Sequence, residues 1–148
     1  MPNPQTEPSP VPRSAHALRI PARTGELARV RRHVEAWAAE AGLSPRAARQ
    51  LRMAVDEAVA NAVEHGVSGP GETVEIGAEA SARGLAVTVR HRGAPFDPTA
   101  PPESLAAVRE RRALHGYGLH LLRALVDELA YAHRGGVNEV RIVKRRGA

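Results

Sequence analysis

The chain has 148 residues, of which 43% are apolar, and a formal net charge of +5, which fits one globular domain with room for a core. It contains no cysteine, so disulfide frameworks, thiolate metal sites and cysteine nucleophiles are excluded. No apolar run is long enough to span a bilayer, and prolines occupy the place where a signal peptide has its apolar core. We therefore expect a cytoplasmic protein that does not bind membranes.

The positive charge comes almost entirely from arginine, which raises the question of nucleic-acid binding. The arginines are spread along the chain among acidic residues, and aromatic residues make up only 3% of the sequence. Such a distribution favours an ordinary charged surface over a basic patch or a set of base-stacking platforms. We expect no direct contact with nucleic acid, whereas an acidic protein partner is compatible with the charge.

The N-terminal segment Met1–Ser14 has five prolines and few apolar side chains, which predicts a disordered tail. Residues 15–148 form the predicted domain. Its first element is a short edge strand over residues 15–21, in which the alternation places Leu18 and Ile20 toward a core.

Two helices follow this strand. The first is predicted from about Thr24 to Ala41, with Gly42 as its stop. The second begins at Ser44-Pro45, a serine cap followed by a proline in the first helical position, and runs to about His65. Their apolar stripes at helical spacing are Leu27, Val30, Val34, Trp37 and Ala38 in the first, and Leu51, Val55, Ala58, Val59, Ala62 and Val63 in the second.

The remaining chain predicts two antiparallel hairpins separated by a long connection and a third helix. The strands alternate in polarity and are expected at about 72–80, 85–89, 129–133 and 137–144. Residues 91–114 lack a strong period, and a connection of that length is usually functional, for example an active-site lid. A helix over about 119–126 follows. This element order predicts an α+β, two-layer sandwich with a mixed, mostly antiparallel sheet and helices on one face.

Glu57 and Asn61 are the first candidate for chemistry. They are four residues apart on the second helix and therefore lie one above the other, among small alanine side chains. A carboxylate and an amide in this arrangement could hold a hydrated cation and orient a nucleophile. The alternative is an ordinary solvated pair, and the motif alone does not decide between them.

Two glycine-containing segments add to this candidate. In the first, a predicted buried strand runs through His91 into Gly93 and the turn that ends at Pro98. In the second, Gly116 and Gly118 directly precede a predicted helix. Glycine allows backbone amides to approach a ligand closely, and a helix N-terminus offers free N–H groups, so this junction could cradle phosphate. The alternative is that these glycines only shape a loop.

Together and in this order, the three segments resemble the ATP-binding domain of the GHKL superfamily, and most of all the bacterial anti-sigma-factor serine/threonine kinases. The resemblance covers about Leu18 to Lys144. Glu57-Ala58-Val59-Ala60-Asn61 matches the Glu-x-x-x-Asn box, within the similar run DEAVANAVEHG. The glycine box is matched by Gly116-Tyr117-Gly118-Leu119, and the segments 93–98 and 135–140 are also similar to those of the small kinases.

The resemblance implies a role for each matching residue. Glu57 would be the catalytic base toward a serine hydroxyl, and Asn61 would bind Mg²⁺ together with the ATP phosphates. Gly93 would make room for adenine. The nucleotide would also be bound by the glycine box, Gly116, Tyr117, Gly118 and Leu119. The expected cofactors are ATP and Mg²⁺, the expected partners are a sigma factor and an anti-anti-sigma protein of the STAS type, and a homodimer is compatible with the family.

His91 departs from the family pattern, in which an aspartate at this position accepts a hydrogen bond from the adenine amino group. A neutral imidazole can accept one such bond but lacks the charge and the second oxygen of a carboxylate. The resemblance therefore predicts an ATP-dependent serine/threonine kinase of the anti-sigma type. The alternative is a protein-binding module, an anti-sigma factor or adaptor, that keeps the fold and binds ATP poorly because of His91.

Overall fold

In the computed structural model, which describes residues 14–66, 71–97 and 123–147, five strands form one sheet. The strands are β1 (Ser14–Pro21), β2 (Thr73–Ser81), β3 (Gly84–Arg92), β4 (Glu128–Arg134) and β5 (Val137–Arg145). Their order in the sheet is β1-β2-β3-β5-β4, and every pair of neighbours is antiparallel. β1 therefore lies at an edge, as its short length and terminal proline predicted.

Two helices cover one face of this sheet. α1 (Leu27–Glu40) follows a 3₁₀ turn at Thr24–Glu26, and α2 (Pro45–Asn61) continues into a single π-helical turn at Ala62–Gly66. α2 packs against β3 and β5, and α1 packs against α2. The two-layer α+β fold predicted from the element order is confirmed. No helix in the described ranges is long and apolar enough to cross a membrane.

The junction between the helices follows from two local signals. Gly42 has a φ of +77°, and the N–H groups of Gly42 and Leu43 donate to the carbonyls of Ala39 and Ala38, which closes α1 with a Schellman motif. The Ser44 hydroxyl then caps α2 by accepting a hydrogen bond from the N–H of Ala47 at 3.1 Å. The sequence predicted both the stop and the restart.

The core lies between the helices and the inward face of the sheet. Buried residues alternate along β2 and β3 with half-buried or exposed ones, which is the pattern of a sheet that is covered on one face. The largest fully buried side chains come from every layer: Ile20, Val30, Val34, Leu51, Val55, Val59, Val74, Ile76, Leu85, Val87 and Ile142. The predicted helix stripes are therefore the surfaces that meet the sheet.

The last turn of the second helix departs from the predicted geometry. The second helix changes at Asn61 from α-helical to π-helical geometry, so the regular helix ends four residues before His65. Of the third helix, the structure describes only a 3₁₀ turn at Arg123–Leu125. It ends there because the N–H of Asp127 already donates to the carbonyl of Val143 on β5, which commits the chain to the sheet. Residues 119–122, the predicted tail 1–13 and the predicted turn at 68–70 lie outside the described residues.

Candidate functional site

The described candidate residues gather at one end of the sheet. α2 begins beside the far end of β5, where the N–H of Ser44 donates to the carbonyl of Arg146 at 2.7 Å. Its last turn therefore lies at the opposite end, where β3 ends and β5 begins, and the π-helical turn contacts β3 there. This arrangement brings Glu57 and Asn61 to the end of the sheet that carries His91.

Glu57 and Asn61 are both half-buried and one helical turn apart. The neighbours of Glu57 toward the core, Ala58 and Val59, are buried and hold this part of α2 against the sheet. Among the described residues, Glu57 Oε2 is buried and has no hydrogen-bond partner. A buried carboxylate oxygen without a partner is costly for stability, and it calls for a specific explanation such as strain, a catalytic role, or a bound water or ion.

The environment of Glu57 changes its acidity. Burial, followed by the negative charges of Asp56 and Glu64, raises the pKa of Glu57 from 4.5 to about 7. A carboxyl group with this pKa exchanges its proton near neutral pH, which is the range in which a general base is most effective.

Asp56 has a similar position and a different role. Burial raises the pKa of Asp56, while a hydrogen bond from Arg31, whose Nε lies 2.8 Å from Asp56 Oδ2, opposes that rise. The pair joins α1 to α2. Asp56 is therefore tied to the scaffold through Oδ2, while its Oδ1, like Glu57 Oε2, is buried without a hydrogen-bond partner among the described residues.

The raised pKa of Glu57 predicts a pH-dependent stability. The folded state holds the proton more tightly than the unfolded chain, so this contribution to stability is fully present below pH 4.5 and is lost as the pH rises through about 7. Glu57→Gln should remove this loss of stability at high pH, because glutamine does not ionise. Allowing for solvent screening of a half-buried group, we expect its melting temperature to exceed that of the wild type by about 2–4 °C at pH 8 and to match it at pH 5.

Thermal unfolding at the two pH values tests this, with Glu79→Gln, an exposed glutamate on the outer face of β2, as the matched control. The control should follow the wild type at both pH values. An equal change of melting temperature between pH 5 and 8 in the wild type and in Glu57→Gln would contradict the assigned environment.

His91 and Gly93 occupy the end of β3. His91 is only 6% exposed and lies in register between Val74 on β2 and Asn138 on β5. Gly93 has a φ of +153°, a conformation that residues with a side chain rarely adopt, and its N–H donates to the carbonyl of Gly136 at 3.1 Å. The chain therefore leaves β3 at Gly93, two residues after His91.

Three residues of this region were not among the sequence-predicted candidates: Tyr131, His133 and Asn138. All three point inward from β4 and β5 and contact the segment that follows β3. The signal that could have found them is their polarity at inward positions of alternating strands, because a polar group on a buried face needs a partner. The glycine-box residues Gly116, Tyr117, Gly118 and Leu119 lie outside the described residues.

Comparison with known proteins identifies the family. The family model described as the histidine kinase-like ATPase domain matches residues 20–144, which is most of the chain. The chain belongs to this family. Membership in the histidine kinase-like ATPase domain family implies nucleotide binding of the ATP type and confirms the superfamily resemblance of the sequence motifs. No curated protein matches the chain.

Solved structures share the fold of this histidine kinase-like domain at low sequence identity. The RsbU and RsbW domains of Rv1364c from Mycobacterium tuberculosis are 23% identical with a TM-score of 0.62, over 91% of this chain and 34% of that one. The histidine kinase domain of the blue-light activated histidine kinase EL346 from Erythrobacter litoralis is 20% identical with a TM-score of 0.50, over 86% and 61%. The chain thus spans less than two thirds of either structure, and the likeness concerns the fold.

Proposed function

We propose that this chain is an ATP-dependent serine/threonine protein kinase of the anti-sigma-factor type. It binds a sigma factor and transfers the γ-phosphate of ATP to a serine of an anti-anti-sigma protein of the STAS type. The observation that carries the proposal is Glu57, whose buried oxygen has no described partner and whose pKa is about 7. The family membership and the fold shared with an RsbW domain support it.

In the proposed reaction, Glu57 acts on the substrate hydroxyl. The serine oxygen forms a bond to the γ-phosphorus while the bond to the β,γ-bridging oxygen breaks, and ADP leaves. The ionised Glu57 carboxylate accepts the proton of the hydroxyl. Half-burial of the carboxylate strengthens this interaction, and the π-helical turn that follows Asn61 is a feature often found at functional sites.

Asn61 fits the role of the Mg²⁺ ligand in its chemistry. Mg²⁺ prefers oxygen ligands and keeps several waters and phosphate oxygens, so one half-buried amide oxygen is a sufficient contribution from the protein. When bound, the ion neutralises charge on the transferring phosphate. Asn61 holds and orients that region of the nucleotide, Gly93 gives the base access, and the glycine box of residues 116–119 is assigned to the phosphates on the basis of its motif.

Phosphoryl transfer can be tested directly with ATP labelled in the γ-position. The full chain is mixed with Mg²⁺, labelled ATP and STAS-type proteins encoded near its gene. We expect label on a serine of one of these proteins, in a phosphoester that survives acid. Acid-labile label on the chain itself would indicate a histidine kinase, and transfer to none of the candidates by a chain that binds ATP would contradict the kinase assignment.

His91 sets the expected strength of nucleotide binding. Restoring the family's carboxylate by His91→Asp should tighten ATP binding by roughly tenfold to 150-fold, because a hydrogen bond to a charged group is worth about 1.5–3 kcal/mol. Calorimetric titration of both proteins with ATP measures the difference. Melting curves of both proteins serve as the control for folding, since His91 is buried between β2 and β5. Equal affinity in two folded proteins would mean that His91 does not contact the base.

A further inference from the structure

The segment that leaves β3 is attached to the β4–β5 hairpin through its backbone. Over Gly93–Phe96, two carbonyl groups and one N–H group contact side chains of the hairpin. We call this segment the base loop, since the family resemblance assigns adenine to Gly93. Because the contacts involve backbone atoms, they fix the path of the loop whatever its own side chains are.

Asn138 makes the most contacts. Its amide nitrogen donates to the carbonyl of Ala94 at 2.9 Å and lies 3.5 Å from that of Gly93. Its Oδ1 accepts hydrogen bonds from the N–H of Phe96 at 3.0 Å and from the hydroxyl of Tyr131. The residue is 0% exposed. Rotating the amide by 180° would place its NH₂ group against the N–H of Phe96, so the contacts also define the orientation of the amide.

Tyr131 and His133 extend this network from β4. The Tyr131 hydroxyl donates to Asn138 Oδ1 and also lies 3.0 Å from the N–H of Phe96, which therefore shares its hydrogen between two acceptors. The Nε2 of His133 lies 3.0 Å from the carbonyl of Gly93. Since a carbonyl can only accept, His133 donates there, which defines its Nε2 as protonated.

We propose that Asn138 and Tyr131 are positioning residues that hold the base loop in its nucleotide-binding conformation, an inference that rests on the proposed function. Ordering a loop has a conformational entropy cost for each residue. Hydrogen bonds from the β4–β5 hairpin order the loop before the ligand binds. The free energy of nucleotide binding is therefore not reduced by the entropy cost of ordering the loop. Loss of these bonds therefore weakens nucleotide affinity although neither side chain contacts the nucleotide.

The same contacts determine what Asn138 cannot do. An asparagine amide has two donor hydrogens and an oxygen that accepts two bonds, and here both kinds of group are engaged by the loop and by Tyr131. Asn138 is therefore committed to the base loop and to Tyr131, although it is the strand partner of His91. Recognition of the base edge falls to His91 and to the backbone of the base loop, whose position Asn138 fixes.

The test compares ATP affinity with stability in three variants. Asn138→Ala removes the whole attachment, and Tyr131→Phe removes only the hydroxyl while it keeps the ring. Ile142→Val is the matched control, because it trims a buried side chain of the same strand without touching the base loop. We expect ATP dissociation constants to rise about tenfold in Asn138→Ala and about threefold in Tyr131→Phe, with no change in Ile142→Val.

Melting temperatures of the same proteins separate positioning from general destabilisation. A merely structural role predicts that affinity falls with stability in all three variants, including Ile142→Val, and that result would overturn the proposal. So would wild-type affinity in a folded Asn138→Ala. Asn138→Asp provides a near-isosteric second variant: it keeps the acceptor for Phe96 but faces the carbonyl of Ala94 with an oxygen, and it should bind ATP as weakly as Asn138→Ala.

Hydrogen exchange of the Phe96 amide tests the attachment of the base loop separately from the proposed function. In the nucleotide-free protein, this amide should exchange at least about tenfold faster in Asn138→Ala than in the wild type, while amides of β2 remain protected. Unchanged exchange at Phe96 would overturn the attachment itself. A wild type that binds no nucleotide would instead refute the proposed function, and the exchange rates would still decide whether the hairpin holds the loop.

Discussion

Replacing Glu57 by glutamine is expected to lower the rate of phosphoryl transfer by about 10²–10⁴-fold, the usual contribution of a general base, while ATP affinity stays within about threefold of the wild type. Glutamine preserves the size of the side chain but cannot accept the hydroxyl proton. Single-turnover transfer to the antagonist protein, together with an ATP titration, separates the two effects. Loss of binding instead of loss of transfer would show that Glu57 holds the nucleotide and is not the base.

The pH dependence of kcat/KM provides a second test of Glu57 as the base. Because a base must be ionised, kcat/KM should rise with pH around a midpoint near the Glu57 pKa of about 7. Glu64→Gln is the matched control: it removes one of the negative charges that raise this pKa, so the variant should remain active and its midpoint should move to lower pH. A midpoint that is identical in Glu64→Gln and the wild type would contradict the electrostatic environment described for Glu57.

Replacing Asn61 by alanine is expected to weaken the binding of ATP in the presence of Mg²⁺ by roughly tenfold to 150-fold, as expected for the loss of an interaction with a charged group. In EDTA, the variant and the wild type should bind ATP equally, because the lost oxygen would act through the ion. Calorimetric titrations with and without Mg²⁺ measure both quantities.

Two further variants show whether the effect belongs to the Asn61 side-chain amide. Gln50→Ala removes a side-chain amide from the same helix eleven residues earlier and should leave both titrations unchanged. Asn61→Asp retains an oxygen at the site and should keep the dependence on Mg²⁺. An Asn61→Ala protein with an unaltered response to Mg²⁺ would remove Asn61 from the proposed metal site.

The fold was predictable because its signals are local. The serine cap and proline at the start of α2 and the glycine at the end of α1 depend on neighbours within a few residues, and each has the predicted effect. The alternation of β2 and β3 likewise indicates which face meets the helices. The order of the helices and strands along the chain then predicted a two-layer sandwich.

The parts of the site that could not be predicted depend on residues distant in sequence. The attachment of Phe96 to Asn138 joins positions 42 residues apart, and no local pattern gives the partner of an inward-facing asparagine. The pKa of Glu57 depends on how deeply its carboxyl group is buried, and the spacing of residues in the sequence does not give that depth. The π-helical turn after Asn61 was not predictable either, since its sequence is compatible with a regular helix.

The two functions left open by the sequence differ most at His91. A kinase and a protein-binding module would share the fold, the cap of α2 and the base loop. Only the kinase needs a nucleotide, which would bind at the end of the sheet where Glu57, Asn61 and His91 lie. Glu57 supports the kinase, because its pKa of about 7 suits a general base at neutral pH.

Calorimetric titration of the full chain with ATP in the presence of Mg²⁺ decides whether this domain is a nucleotide-binding kinase. We expect one saturable site per chain, with weaker binding in EDTA and in Asn61→Ala, and tighter binding in His91→Asp. Absence of binding heat at millimolar ATP, in both the wild type and His91→Asp, would contradict this expectation and leave the protein-binding module as the function of this domain.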